Sequence, residues 1–412
     1  MSKLAIHGGE KVKTTPFGTG KRFGSEELKE LTEALEQQTL FYARGQKTKK
    51  FREKFAERYG VKHCVMTSSG TASLHAALGA VGVTVGDEVV TSPITDMGSV
   101  IGILYQNAVP VFADLKLDTY NLDPASLEAC ITDKTKAILV VHLAGNPCDM
   151  DAIMAIAQKH GIKVVEDCAQ SYLSEYKGRL AGTIGDVGCF SLNDFKHISA
   201  GDGGMVITYD NELAARLALF TDKCYYRDGS GRNPTFLAPN YRISELQSAV
   251  AIAQLGKLDW ICERRNEIGD RISEGIKDLP GIYIPKITDG GKSSYWFYMF
   301  RVDEEILGIS RNDFAKVLSA EGIPAGAGYI PICVYEYDIF KNKTAYAGGN
   351  CPFDCPKYGR EIEYKKGLCP NAEEILATSI RLKCNEFFTD EDVEDIIKGI
   401  KKVSEYYSAN KK

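Results

Sequence analysis

The sequence predicts an α/β protein built on a mostly parallel sheet, followed by a second, smaller α/β unit. Three observations predict it. Short apolar, β-branched runs alternate with helical stretches between residues 63 and 192, the pattern of strands joined by right-handed crossovers. Those runs end in small, polar or charged residues, at the edge where parallel sheets hold their ligands. After residue 240 the texture changes to a long helical stretch and then to mixed strand and helix.

In chain order, "HCVMTSS" (63–69), "DEVVTSP" (87–93), "AVPVFADL" (108–115), "KAILVVHLAG" (136–145), "IKVVEDCAQ" (162–170) and "VGCFSL" (187–192) read as strands. Between them "TASLHAALGAVG" (71–82) and "CDMDAIMAIAQKHG" (148–161) read as helices, the second with aspartates at its start and Gly161 at its stop. Residues 240–279 form the long helical stretch that leads into the smaller unit. There "SYWFYMFRV" (294–302) reads as a strand. "SRNDFAKVLSAEG" (310–322) reads as a helix capped by Ser310 and stopped by Gly322. "TDEDVEDIIKGIKKVSEYY" (389–407) reads as a closing amphipathic helix capped by Thr389, with acids in its first turn. The expected domains are residues 1–255, a large domain that includes the N-terminal segment, and residues 256–412, a small C-terminal domain.

Composition narrows the function. The 412 residues are 44% hydrophobic, enough for a large core, and the net charge of -5 offers no basic footprint for nucleic acid. No run of about 18 apolar residues occurs, so no membrane span is expected. The N-terminus has no apolar core of signal-peptide length, and a cytoplasmic location is expected. Twelve cysteines are scattered through the strand and helix runs, as reduced thiols of a cytosolic protein are. Cys351, Cys355 and Cys369 lack the paired spacing of structural zinc sites, so no metal is expected.

Three strand ends carry chemistry. "TSSGTAS" (67–73) ends a strand and opens a helix, and free N–H groups at a helix start suit a phosphate. Alone it is also an ordinary helix cap. "KVVEDCAQ" (163–170) ends in Asp167, which at that edge can hold a proton on a ring nitrogen; a lone aspartate is more often a loop carboxylate with a nearby donor. "SLNDFKHISAGDGGMVIT" (191–208) places Lys196 before a glycine-rich turn, and a single lysine is usually a solvated charge. A phosphate cup, an acid and a lysine at the ends of strands of one sheet together match pyridoxal 5'-phosphate.

The chain resembles the DegT/DnrJ/EryC1/StrS family of sugar and cyclitol aminotransferases, which have the aspartate aminotransferase fold (fold type I). The resemblance is carried by "SSGTASLHAAL", "VGDEVVTSP", "AVPVFADLKLDTYNLDP", "TKAILVVHLAGNPCDMDAI", "VVEDCAQSY", "GTIGDVGCFSL", "KHISAGDGGMVIT" and "APNYRISELQSAVAIAQL", in that order. It implies that Lys196 is the Schiff-base lysine and Asp167 the acid at the pyridine nitrogen. Gln170 is implied at the 3-hydroxyl, and Gly70, Thr71 and Ser191 at the phosphate. Asn240 is implied to reach the phosphate across a dimer interface, so a homodimer with shared sites is expected. A dehydratase branch of the family carries histidine at the lysine position; here that position is Lys196 and the histidine, His197, follows it.

One position departs from the family. Where members place an aromatic residue to stack on the cofactor, "SPITDMGS" has Asp96. Asp96, His197, Tyr329 and Arg44 are the further candidates for substrate or cofactor contact, each with an ordinary structural reading beside it. The expected activity is transfer of an amino group from L-glutamate or L-glutamine to a ketone on a sugar, nucleotide-linked by expectation, or on a cyclitol such as an inosose. The alternatives are a deoxysugar dehydratase or lyase, and a cofactor-binding regulatory protein without turnover.

Overall fold

The computed structural model describes residues 3–229 and 231–410. Its strands are β1 (His63–Thr67), β2 (Glu88–Thr91), β3 (Val109–Phe112), β4 (Thr135–Val141), β5 (Lys163–Asp167), β6 (Glu175–Tyr176), β7 (Arg179–Leu180), β8 (Val187–Ser191), β9 (Gly204–Thr208), β10 (Ile282–Tyr283), β11 (Gly291–Lys292), β12 (Phe297–Val302), β13 (Ala325–Ala327) and β14 (Ser379–Lys383). Seven of them form the main sheet in the order β1-β9-β8-β5-β4-β2-β3. The pairs among β3, β2, β4, β5 and β8 are parallel, while β9 runs antiparallel to both β8 and β1. The mostly parallel sheet is therefore as expected, with β9 alone reversed.

Alternation along the strands covers both faces. In β8 the side chains of Val187 and Cys189 enter one core with Leu74, Val89, Ile138 and Val165, while Phe190 enters another with Phe51, Phe55 and Tyr172. Phe190 is fully buried and meets Phe55 and Tyr59 edge-on. Burying such a ring contributes about 2–3 kcal/mol, and two helical layers over one sheet follow from this two-sided burial.

A second sheet, β10-β12-β14-β13, is antiparallel. Tyr298, Phe300, Val302, Ile380 and Leu382 face a core filled by the helices Leu258–Ile276, Arg311–Ala320 and Asp390–Ala409. The other face carries Phe297 and Met299 into the first core. Leu4 and Phe17 pack into the second core as well. The long stretch expected over 240–279 is two helices, Glu245–Leu255 and Leu258–Ile276. Gly256 caps the first and breaks the run, and Ser244 opens it with a capping box to Gln247.

Chain reversal at β8 and β9 is what places the reactive loop. The two strands are hydrogen-bonded neighbours, so residues 192–203 leave and re-enter the sheet at one edge. That edge is the carboxyl end of β5 and β8, and Lys196 lies on the loop.

Candidate active site

Six residues expected at the cofactor, Gly70, Thr71, Asp167, Gln170, Ser191 and Lys196, line one cavity of about 230 Å³ at this edge. Each arrives by a different local route. Gly70 and Thr71 begin the helix Gly70–Ala80, which follows β1. Ser69 caps that helix, accepting the Ala72 N–H at 3.1 Å. The Gly70 and Thr71 N–H groups meet no acceptor among the described residues, as the first turn of a helix leaves them. Gly70 has to be glycine, because a Cβ there would lie 2.6 Å from the Ser191 Cβ.

Asp167 ends β5 and is buried. Its Oδ2 accepts the Ser99 hydroxyl at 2.7 Å and its Oδ1 accepts the Ala169 N–H at 3.0 Å. Burial raises its pKa above the usual carboxyl range, and the Ser99 and Ala169 bonds and the charge of Lys196 act against that rise. Both oxygens are thus oriented while the group keeps affinity for a proton. Gln170 is held by its Oε1, which accepts the Ala144 N–H at 2.8 Å, and its Nε2 donates to the Tyr329 hydroxyl at 3.3 Å.

The Lys196 Nζ sits 3.9 Å from the centroid of the Trp296 indole. Burial lowers its pKa, and the charges of Asp167 and Asp96 pull it partly back. A lysine held this way is neutral, and so nucleophilic, at a lower pH than a solvated one. Its loop is fastened from outside. The guanidinium of Arg22 donates to the carbonyl oxygens of Asp194 and Lys196, and to that of His197 at 3.0 Å.

The remaining candidates separate. Asp96 is exposed, lines the same cavity and caps the helix Met97–Tyr105. Tyr329 adjoins the cavity through Gln170. His197 is fully buried and points away, its Nε2 donating to the Ser294 carbonyl oxygen at 3.0 Å. Burial drives it well towards the neutral form. Arg44, in the turn before the helix Lys47–Tyr59, lines a different cavity, of about 580 Å³, with Tyr42, Arg52 and Arg227, and within one chain it is not among the residues lining the Lys196 cavity. Asn240 is exposed and bridges to Asp222 outside the Lys196 cavity.

Among the described residues one group of three metal-ligating side chains converges, His142, Glu166 and Cys168, all buried. The lone pairs of His142 and Glu166 are already engaged. His142 Nδ1 accepts the Cys148 N–H at 3.0 Å and its Nε2 donates to Glu166 at 2.9 Å. Glu166 also accepts the N–H groups of Gly182, Ile184 and Gly185. The group braces the strand end beside Asp167.

Three residues that sequence reasoning missed belong to this site: Ser99, Trp296 and Arg22. Ser99 lay in the segment quoted for Asp96, and its reach to Asp167 follows only from the helix start there. Trp296 read as part of a strand. Arg22 carried no local signal, since its partners lie more than 170 residues away.

These residues fit pyridoxal 5'-phosphate. Open N–H groups at a helix start, next to Ser191, suit its phosphate. A buried carboxylate that retains proton affinity suits its ring nitrogen, and a lysine of depressed pKa suits its aldehyde. Fold and site define a fold-type-I transferase that uses this cofactor. The chain belongs to the DegT/DnrJ/EryC1/StrS aminotransferase family, whose model matches residues 21–355. It is 34% identical to the spore coat polysaccharide biosynthesis protein SpsC of Bacillus subtilis, over 92% of this chain and 95% of that protein. It is 34% identical to the L-glutamine:2-deoxy-scyllo-inosose aminotransferase of Streptoalloteichus tenebrarius, over 87% of this chain and 86% of that protein. The crystal structure of 3-amino-5-hydroxybenzoic acid synthase superposes with a TM-score of 0.83 at 26% identity, covering 96% of this chain and all of that one.

Proposed function

We propose that this aminotransferase moves an amino group from L-glutamine or L-glutamate to the keto group of a sugar, nucleotide-linked or free, or of a cyclitol. The observation that carries the reading is Lys196, an amine of depressed pKa facing the same cavity as the buried Asp167. Bound pyridoxal phosphate supplies an electron-withdrawing ring that stabilises negative charge beside the transferred nitrogen. Asp167 holds the proton on the ring nitrogen, with Ser99 and Ala169 fixing its oxygens. The Gly70 and Thr71 N–H groups and Ser191 bind the phosphate, and Gln170 fixes the ring's hydroxyl edge. Lys196 takes up and returns a proton at Nζ, for which the amine must be neutral. A lysine at this position, in place of the dehydratase branch's histidine, favours amino transfer over dehydration. The inosose aminotransferase relative supports a cyclitol or sugar acceptor.

A homodimer with shared cavities belongs to the same proposal. Phe195, beside Lys196, is 77% exposed and Leu237, near Asn240, is 96% exposed, as side chains are that a second copy covers. Asn240 would act in the partner's cavity. The twelve unpaired thiols support a cytoplasmic location, and no helix of the described residues is long and apolar enough to cross a membrane. The proposal divides the chain into residues 1–255, with the N-terminal segment, and 256–412, and Leu4 and Phe17 reach across to pack in the core of the smaller unit.

The test is the visible spectrum of the holoenzyme. Its yellow band is expected to bleach on adding L-glutamine or L-glutamate, and Lys196→Ala is expected to abolish turnover. A band that no donor bleaches, or ordinary turnover by Lys196→Ala, overturns the reading.

A further inference from the structure

One tryptophan grips two consecutive residues of the reactive loop. The Trp296 indole N–H donates to the Phe195 carbonyl oxygen at 2.7 Å, and the face of the same ring lies 3.9 Å from the Lys196 Nζ. The next residue joins them, since the His197 ring donates to the Ser294 carbonyl oxygen at 3.0 Å. Among the described residues the Lys196 amine has no hydrogen bond and no ion pair, so the indole face is its direct contact.

The ring has a fixed seat. The Trp296 backbone N–H donates to the Ala144 carbonyl oxygen at 2.9 Å, and the Trp296 carbonyl oxygen accepts from the Arg265 guanidinium at 3.3 Å. Arg265 is itself buried and paired with Glu386. The adjoining Tyr295 is held in the second core against Gly269, whose missing side chain leaves room for the tyrosine ring. Tyr329 stands edge-on to the indole at 5.9 Å. The lysine reaches this seat on a flexible four-carbon stem, so it is the amine that can leave and the ring that stays.

An indole face attracts an ammonium group through its quadrupole and gives a neutral amine little of that attraction. Burial works the other way and disfavours the charged form. The carboxylates that face the amine are Asp167 at the end of β5 and Asp96 at the cap of the helix Met97–Tyr105, and both line its cavity. The cations nearby are turned to backbone oxygens, Arg22 to that of Lys196 and Arg265 to that of Trp296. His197 is neutral, and the Tyr329 hydroxyl is engaged by Gln170. None of these groups changes when the indole is replaced.

We propose that Trp296 is the resting platform of the Lys196 amine whenever that amine is free and protonated, so that the ring holds the ammonium form and releases the neutral one. The proposal rests on the aminotransferase reading and adds a positioning residue to it. A lysine that has taken up a proton at Nζ is kept on the ring until it returns that proton, and one that has lost it is free to react.

Trp296 reports on its own contact. It is one of two tryptophans, and Trp260→Phe leaves it alone. In that full-length variant, freed of cofactor, indole emission is recorded against pH. A step with a midpoint below 10.5 is expected as the amine loses its proton and leaves the ring, and Lys196→Met is expected to remove it. No step, or the same step in Lys196→Met, overturns the proposal.

Uptake of pyridoxal 5'-phosphate, followed by its yellow colour, needs the neutral amine and is expected to share the midpoint. Trp296→Leu should lower that midpoint by about one pH unit, a roughly tenfold weaker hold on the proton. Trp296→Phe, which keeps a ring and loses the bond to Phe195, should lower it by less. A midpoint that stays or rises in either variant, however slow the uptake, marks a ring that only packs and overturns the proposal. Bleaching by L-glutamine is scored separately. A protein with the emission step and the lowered midpoints that no donor bleaches overturns the aminotransferase reading and leaves the platform standing; one that bleaches without them overturns the platform alone.

Discussion

Arg22 and Lys196, far apart in the chain, are tied together by the Arg22 guanidinium, which donates to the Lys196 carbonyl oxygen and to those of Asp194 and His197. A charged fork that binds three carbonyl oxygens within four residues of backbone fixes the path of the loop rather than any one side chain. The lysine amine is aimed by a residue of the N-terminal strip.

Removing that clamp is expected to cost rate more than affinity. Arg22→Ala should lower kcat about 10- to 100-fold, since displacement of a reacting group by about 1 Å has that effect. Hydrogen exchange of the amides at 194–198 should quicken in the same variant while the core strands stay protected. Unchanged exchange with a lowered kcat would show that Arg22 acts otherwise.

Asp167 and Ser99 form a graded pair. Asp167→Asn removes the group that holds the ring-nitrogen proton and should slow the donor half-reaction on the order of 10³-fold. Ser99→Ala deletes one hydrogen bond to the carboxylate, worth about 1 kcal/mol, and should slow it about 5- to 10-fold. Stopped-flow absorbance reads both, and equal effects of the two would contradict the division of roles.

The lysine predicts a pH limb. Burial lowers its pKa from 10.5, so cofactor uptake by the apoenzyme should rise with pH through a midpoint below 10.5. Asp96 pulls that pKa upward. Asp96→Asn removes the opposing charge, and the midpoint should move lower still. A midpoint that moves upward would mean that Asp96 does not act on the amine.

His75 predicts acid sensitivity far from the chemistry. It is buried, with its ring nitrogens on the Tyr241 hydroxyl at 2.7 Å and the Gln106 side-chain nitrogen at 2.7 Å, and burial lowers its pKa from 6.5 to about 4. The unfolded chain therefore binds the proton first as pH falls. Stability from this residue is full above pH 6.5 and is lost between 6.5 and about 4. Urea unfolding at pH 7.5 and pH 5 should differ by about 2 kcal/mol more in the wild type than in His75→Gln.

The parts of this molecule legible in the sequence are the local ones. Asp167 and Lys196 were legible because each ends or follows a strand whose apolar run shows in consecutive residues, and a parallel sheet brings such ends to one edge. The family resemblance supplied Gln170 and Ser191. The break at Gly256 was hidden because apolar periodicity continues on both sides of it. Arg22 and Trp296 were hidden because their roles depend on partners about 100 residues away or more, and neither residue type signals such a partner. Arg44 lies in the turn before the helix Lys47–Tyr59 and lines another cavity, a placement set by tertiary packing that no nearby residue reveals.

The pairing of β8 with β9 has a consequence for how this enzyme can change. Strands that are already ladder partners hold the two ends of the 192–203 loop beside each other, whatever lies between. Lengthening such a loop costs little, about 0.6 kcal/mol for each doubling, and disturbs none of the crossovers that build the parallel layer. Within the segment bearing the reactive amine, the exposed turn at Asp194 and Phe195 is therefore where residues can be added or exchanged at least cost, while Leu192, His197 and Ile198 are held by burial.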